Sequence, residues 1–300
     1  MDIAMFEPKL IKTKDERLLI YYENYIFKHL NIDIKNRGDT YINEAVDKYF
    51  ENINEHNQFI CDMESSAKQY ILPKEKFDWI KVDERHCFFI WLSVRNRYNP
   101  DLTVSQYRDK RIKWNEQTLY DQMRLDINPA STKARYESII RFFDTLGASV
   151  NDIELYFSFL KEALNNINSY SFTWLDEKDE EQCQWAWDYI KKSDNGIYNR
   201  YIQTPIGENE RYLFVIASFD YWYAHADTKL RFLDKMRNAW MQKKHRSKQV
   251  KENRKPLNTN LDEEVKKRLN LLAKLQNKTI SETLEDMINQ AYEEHKQLFK

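Results

Sequence analysis

Glycine is scarce in this sequence, which has only 4 in 300 residues where average usage would give about 21. They lie at Gly38, Gly147, Gly196 and Gly207, and no two are close neighbours. The paired-glycine loops that hold phosphates in nucleotide-binding proteins are therefore excluded. Because the sequence also has only 6 prolines, a turn-rich β-sandwich or barrel is disfavoured, and the composition predicts a mainly α fold.

Long apolar runs are also lacking. The longest covers residues 87–92, far short of the ~20 residues that span a bilayer. The first residues contain no apolar segment of the signal-peptide type, so we expect a cytoplasmic protein with no membrane partner. The three cysteines, Cys61, Cys87 and Cys183, are widely spaced, which predicts reduced thiols rather than disulfides or a zinc site.

Recognisable catalytic patterns are missing as well. The six histidines are spread along the chain, and neither H-E-x-x-H nor G-x-S-x-G occurs. The sequence therefore predicts a protein that is not an enzyme, with no catalytic residues, no metal and no cofactor.

Helical periodicity is abundant in the first half. Tyr136, Ile139 and Phe143 lie on one apolar stripe, and Gly147 follows where a helix would end. Ser149 or Asn151 can then cap a further helix. Residues 87–92 are too continuous to assign by period, and we predict a buried helix there.

Changes in composition divide the chain. The polar and acidic stretch before residue 182 predicts a linker at 166–181, after a helical domain of unknown role at 1–165. Residues 182–250 form the next segment, and residues 251–300 form a separate C-terminal domain.

One segment concentrates positive charge in a chain whose 47 basic and 48 acidic residues otherwise nearly cancel. Between residues 237 and 255, eight basic residues face a single acid, a local charge of +7. This segment contains Lys243, Lys244, Arg246, Lys248, Arg254 and Lys255. Such a segment indicates a polyanion-binding surface, although a solvated charged face is the simpler alternative. A second basic and aromatic stretch, which includes Arg95 and Arg97, is a weaker candidate for contacts with the DNA backbone, with a salt-bridged surface as the default.

The C-terminal domain begins with an alternating segment. Leu257, Thr259 and Leu261 share one face of an extended strand, and Asn258 and Asn260 share the other. Two amphipathic helices follow, the second opened by a T-x-x-E capping box. One strand and two short helices cannot close a core alone, so two copies are expected to pair their strands and bury their stripes together. The predicted dimer core comprises Leu257, Thr259, Leu261, Val265, Leu269, Leu272, Ile280, Leu284 and Ile288.

This is the ribbon-helix-helix pattern, in which a two-stranded ribbon enters the major groove of DNA. Asn258 and Asn260 would read base edges. Lys278, Thr279 and Ser281 would hold a phosphate at the start of the second helix. The alternative is a plain helical hairpin with a disordered basic arm.

Residues 181–300 resemble the macrodomain Ter protein (MatP) family, which organises the replication-terminus region of bacterial chromosomes. The resemblance lies in QWAWDYIKKSDNGIYNRYI (residues 184–202), YWYAHADTKLRFLDKMRNAWMQKKHR (221–246) and KRLNLLAKLQNKTISET (267–283). It implies a helical bundle over residues 182–250 fused to a ribbon-helix-helix over 251–300. It also implies a nucleoid-associated homodimer that binds a short palindrome in double-stranded DNA. It also implies base reading by Asn258 and Asn260, and a backbone grip by Lys243, Lys244 and Arg246.

The sequence departs from the family in several ways. Residues 1–180 have no counterpart in it, and Pro256 changes the ribbon. Family members continue past the position of Lys300 into a coiled coil that links DNA-bound dimers, so the resemblance does not extend to that linkage. The alternative function is a local transcriptional repressor or antitoxin-type regulator, whose residues 1–180 bind a partner protein.

Overall fold

The computed structural model describes residues 7–102, 117–193, 205, 210–251 and 257–299. The described α-helices are α1 (Glu16–Leu30), α2 (Asp39–Tyr49), α3 (Ile53–Tyr70), α4 (Glu84–Arg95), α5 (Leu119–Gln122), α6 (Thr132–Leu146), α7 (Val150–Ile167), α8 (Glu180–Lys191), α9 (Glu210–Tyr221), α10 (Ala226–Lys251), α11 (Glu263–Leu275) and α12 (Ile280–His295). Short 3₁₀ helices cover Lys74–Ile80 and Lys296–Phe299. The prediction of a mainly α fold is confirmed.

No β-strand is present within the described ranges. The predicted strand at 257–261 lies outside any helix and has no ladder partner in a single chain, so the ribbon stays a prediction. A lone strand cannot satisfy its backbone hydrogen bonds without a second one.

The chain divides into two compact units, Met1–Trp240 and Met241–Lys300. In the first unit, α1, α2 and α3 enclose a small core around Leu19, Ile26, Ile42 and Ile60. A larger core brings α4 together with α6 and α9, and α8 against α9.

Several local predictions in this unit are confirmed. Residues 87–92 belong to α4 and are all buried. Gly147 ends α6 in the left-handed conformation, with φ of +69°, and Ser149 caps α7 by accepting a hydrogen bond from Asp152 N–H.

The division differs from the domain boundaries predicted from the sequence. Phe172 and Leu175, inside the predicted linker, are buried in the same core as Leu160, Trp187 and Phe214. The segment 166–181 is polar on average, so its composition does not indicate that these two apolar residues are buried in the core. Residues on both sides of the predicted linker, from Leu72 to Leu164 and from Cys183 to Met236, therefore contribute to one core, while α1, α2 and α3 enclose the other.

Candidate nucleic-acid interface

The segment 257–262 presents its side chains to solvent. Asn258 and Asn260 are exposed. Leu257, at 70 % of its surface, and Leu261 are exposed as well. Asp262 ends the segment as the N-cap of α11, accepting a hydrogen bond from Glu264 N–H at 2.9 Å. Apolar side chains thus lie uncovered on the same short stretch as the asparagine amides.

Within the second unit, α11 packs against α12, and the residues buried between them include Leu269, Ala273 and Thr283. Of the predicted dimer-core positions, Leu269 is buried and Leu284 is half-buried. The remaining positions are exposed in the single chain: Leu257, Thr259, Leu261, Val265, Leu272, Ile280 and Ile288. One chain therefore leaves most of this apolar surface open to water.

The positively charged segment forms the end of a long helix. α10 runs for 26 residues, and Trp240 is its last buried side chain among those described. Lys244, Arg246 and Lys248 follow it and are exposed, while Lys243 is half-buried. Arg254 and Lys255 lie outside the described residues.

The junction between α11 and α12 is a tight turn beside a cleft of about 660 Å³. Asn277 adopts the left-handed conformation, with φ of +52°, and Lys278 N–H donates to the Ala273 carbonyl at 3.0 Å. The predicted capping box is present: Glu282 N–H donates to Thr279 Oγ1, and Thr279 N–H donates to Glu282 Oε2 at 2.7 Å.

The three predicted phosphate ligands at this junction differ in their engagement. Lys278 Nζ lies 2.6 Å from Asp286 Oδ2, and this hydrogen bond and charge raise the pKa of Lys278 above its ordinary value. Thr279 belongs to the capping box, and Ser281 is exposed. Two of the three therefore contact carboxylates of α12.

The second basic stretch begins inside the protein rather than on its surface. Arg95 is buried beside Asp121, at 2.9 Å, and over the ring of Tyr120. Arg97 is buried, donates to the Asn99 carbonyl at 2.8 Å and lies over Tyr156. These two arginines are structural, and the rest of that stretch, from residue 103 to 116, lies outside the described part of the chain.

Sequence reasoning missed a buried charge cluster in the first unit. The Asp220 carboxylate has no exposed surface and accepts two hydrogen bonds from the Arg85 guanidinium, at 2.6 and 2.7 Å. Lys229 Nζ donates to the Asp220 carbonyl at 3.1 Å and lies over the rings of Tyr170 and Phe219. The only available signal was Asp220 itself, an acid within the apolar run of α9.

The described residues include no cluster of three or more metal-ligating side chains. Within the same residues, no helix has the length and apolar character needed to cross a bilayer. No protein-family model, curated protein or solved structure matches this chain.

Proposed function

We propose that this chain is a sequence-specific DNA-binding protein that acts as a homodimer. Two copies would pair residues 257–261 as an antiparallel ribbon and insert it into the major groove of double-stranded DNA. Asn258 and Asn260 would read base edges, and the basic end of α10 would contact backbone phosphates on either side.

The observation that carries this proposal is the open apolar surface of the second unit. Leu257, Val265 and Ile288 are 70 %, 47 % and 55 % exposed, although they occupy regular positions on the predicted strand and on two helices. Burying apolar area contributes about 25 cal/mol per Å², so a surface of this kind favours a second copy. A two-fold pairing would cover the leucines while leaving the alternate asparagines outward.

The distribution of charge supports DNA as the ligand. The second unit begins with the basic end of α10, where Lys244, Arg246 and Lys248 are exposed. Neutralising phosphates releases counterions, so the logarithm of the affinity should fall with the logarithm of the salt concentration by about 0.9 for each phosphate contacted.

The decisive experiment is selection of bound duplexes from a random pool by the full chain, with its oligomeric state measured by sedimentation. We expect a dimer and a short palindrome. Asn258→Ala should then weaken binding to that site by ~1–3 kcal/mol and relax its base preference. The matched control is Asn289→Ala, which removes an exposed amide from α12 and should have little effect.

Two results would contradict the proposal. One is a protein that stays monomeric at concentrations where DNA is bound. The other is an equal loss of affinity for selected and random DNA in Asn258→Ala, because base reading requires a loss specific to the selected site.

The cellular role we propose follows the resemblance to the macrodomain Ter protein family: organisation of a chromosome or replicon in the nucleoid. Mapping the sites occupied by the protein across the genome tests this role. Many dispersed sites would support an organiser, whereas a single site beside the protein's own promoter would indicate a local regulator.

A further inference from the structure

Two of the three residues predicted to hold a phosphate at the start of α12, Lys278 and Thr279, are already bound to carboxylates of the same helix. Lys278 Nζ contacts Asp286 Oδ2 at 2.6 Å. The Thr279 N–H and hydroxyl both donate to Glu282 Oε2, at 2.7 and 2.8 Å. Each carboxylate oxygen occupies a donor that a phosphate oxygen would use.

The position of Asp286 also determines where along α12 the Lys278 ammonium is held. Asp286 lies seven residues beyond the N-cap Thr279, which is roughly 10 Å along a helix that rises 1.5 Å per residue. The Lys278 ammonium is therefore held by a carboxylate about two turns into α12. A phosphate at the start of the helix would be held best by the lysine charge and the positive end of the helix together.

We propose that Asp286 competes with DNA phosphate for Lys278, so that this part of the protein engages a duplex only when the ion pair is exchanged. The inference rests on the proposed function and adds a specific device to it. Asp286 is then a positioning residue that acts through Lys278 and lowers the affinity for DNA of every sequence.

The ion pair is suited to such an exchange because both partners are accessible. The Lys278 and Asp286 side chains are 45 % and 52 % exposed. Exposed pairs are weak, and removing the competitor should therefore tighten binding by no more than about fivefold for each copy of the chain. The freed lysine would also neutralise one more phosphate in each copy, which steepens the salt dependence by about 0.9.

The test compares the full-length wild type, Asp286→Asn and the matched control Glu285→Gln on the selected duplex and on random duplex, over a range of salt concentrations. Glu285 is an exposed carboxylate of the same helix and has no ion pair with Lys278 in the described structure. The same two substitutions are then repeated in a Lys278→Gln background. We expect Asp286→Asn to tighten both duplexes more than Glu285→Gln, with a steeper salt slope, and this extra gain to disappear in the Lys278→Gln background.

Equal gains from Asp286→Asn and Glu285→Gln would overturn the inference, because the effect would then be one of net charge alone. A gain that persists without Lys278 would overturn it as well. Both results leave the proposed function standing. If neither the wild type nor any variant binds a duplex at low salt, the proposed function fails and the inference falls with it.

Discussion

The buried cluster of Arg85, Asp220 and Lys229 makes a quantitative prediction about stability and pH. One carboxylate faces two cations, so the ammonium of Lys229 is not fully compensated. Burial is the main cause that lowers the pKa of Lys229 to about 8, and the Arg85 charge adds to it, while the Asp220 charge opposes the decrease. Lysine in an unfolded chain has a pKa near 10.5.

The sign of the effect follows from proton binding. Between about pH 8 and pH 10.5 the unfolded chain keeps the Lys229 proton while the folded chain has released it. Because the unfolded state binds more protons in this window, the free energy of unfolding rises with pH. At about 1.4 kcal/mol for each pH unit, the total contribution is at most roughly 3.5 kcal/mol.

The assay is urea unfolding of wild type and Lys229→Met between pH 7 and pH 10. All 8 tryptophans precede residue 241, so their fluorescence follows the unit that contains Lys229. We expect the wild type to gain stability relative to Lys229→Met as the pH rises through this window. Subtracting the free energy of unfolding of Lys229→Met from that of the wild type at each pH removes the contribution of ionisable groups that both proteins share.

Lys235→Met is the matched control, since Lys235 is an exposed lysine of the same helix. Its stability should follow that of the wild type at every pH. A wild type and a Lys229→Met variant with parallel pH profiles would refute the reasoning, because Lys229 would then keep its proton equally well in both states.

Two further predictions concern backbone conformation and capping. Gly147→Ala should destabilise the first unit by about 1 kcal/mol, because alanine is strained at a φ of +69°, whereas Gly147→Asn should lose less stability. Urea unfolding followed by tryptophan fluorescence measures both losses, and equal losses would contradict the conformational explanation. Thr279→Ala should destabilise the second unit by about 1 kcal/mol through loss of the capping box, whereas Ser281→Ala should be nearly neutral. Hydrogen exchange of the α12 amides measures the stability of this helix. Unchanged exchange in Thr279→Ala would show that the cap contributes nothing.

The features of the fold that sequence reasoning recovered are those encoded by neighbouring residues. The helix end at Gly147, the cap at Ser149 and the capping box at Thr279 each depend on residues within four positions of one another. Their hydrogen bonds are local, so composition and spacing suffice to predict them. The buried helix α4 was predictable for a similar reason, because six consecutive apolar residues have no solvent-facing side.

Long-range contacts between single charges were beyond that reasoning. Arg85 and Asp220 are 135 positions apart, and Arg17 and Asp144 are 127 apart. Nothing near Arg85 in the sequence distinguishes it from a surface arginine. Its partner is fixed only when α4 and α9 pack together, so such pairs emerge from the tertiary structure alone.

Only part of the candidate interface was predictable from the sequence, and the physical reason differs from the one that applies to the long-range ion pairs. The alternation at 257–261 and the stripes of α11 and α12 were visible in the sequence, but their expected partner is a second copy rather than another part of the chain. The contact between Lys278 and Asp286 was not anticipated, because a phosphate-binding interpretation treats the lysine as free. The structure shows a local competitor for it.

The two units differ in how far a single chain buries their apolar side chains. The first unit encloses its own cores, whereas the second leaves Leu257, Leu261 and Val265 uncovered. Under the proposed function, a second copy supplies the missing burial, and the stability of the second unit then depends on protein concentration through mass action. The described helices of the first unit cover two apolar cores within the single chain. Association and DNA binding would therefore stabilise α11 and α12 while leaving the unfolding of the tryptophan-containing unit unchanged.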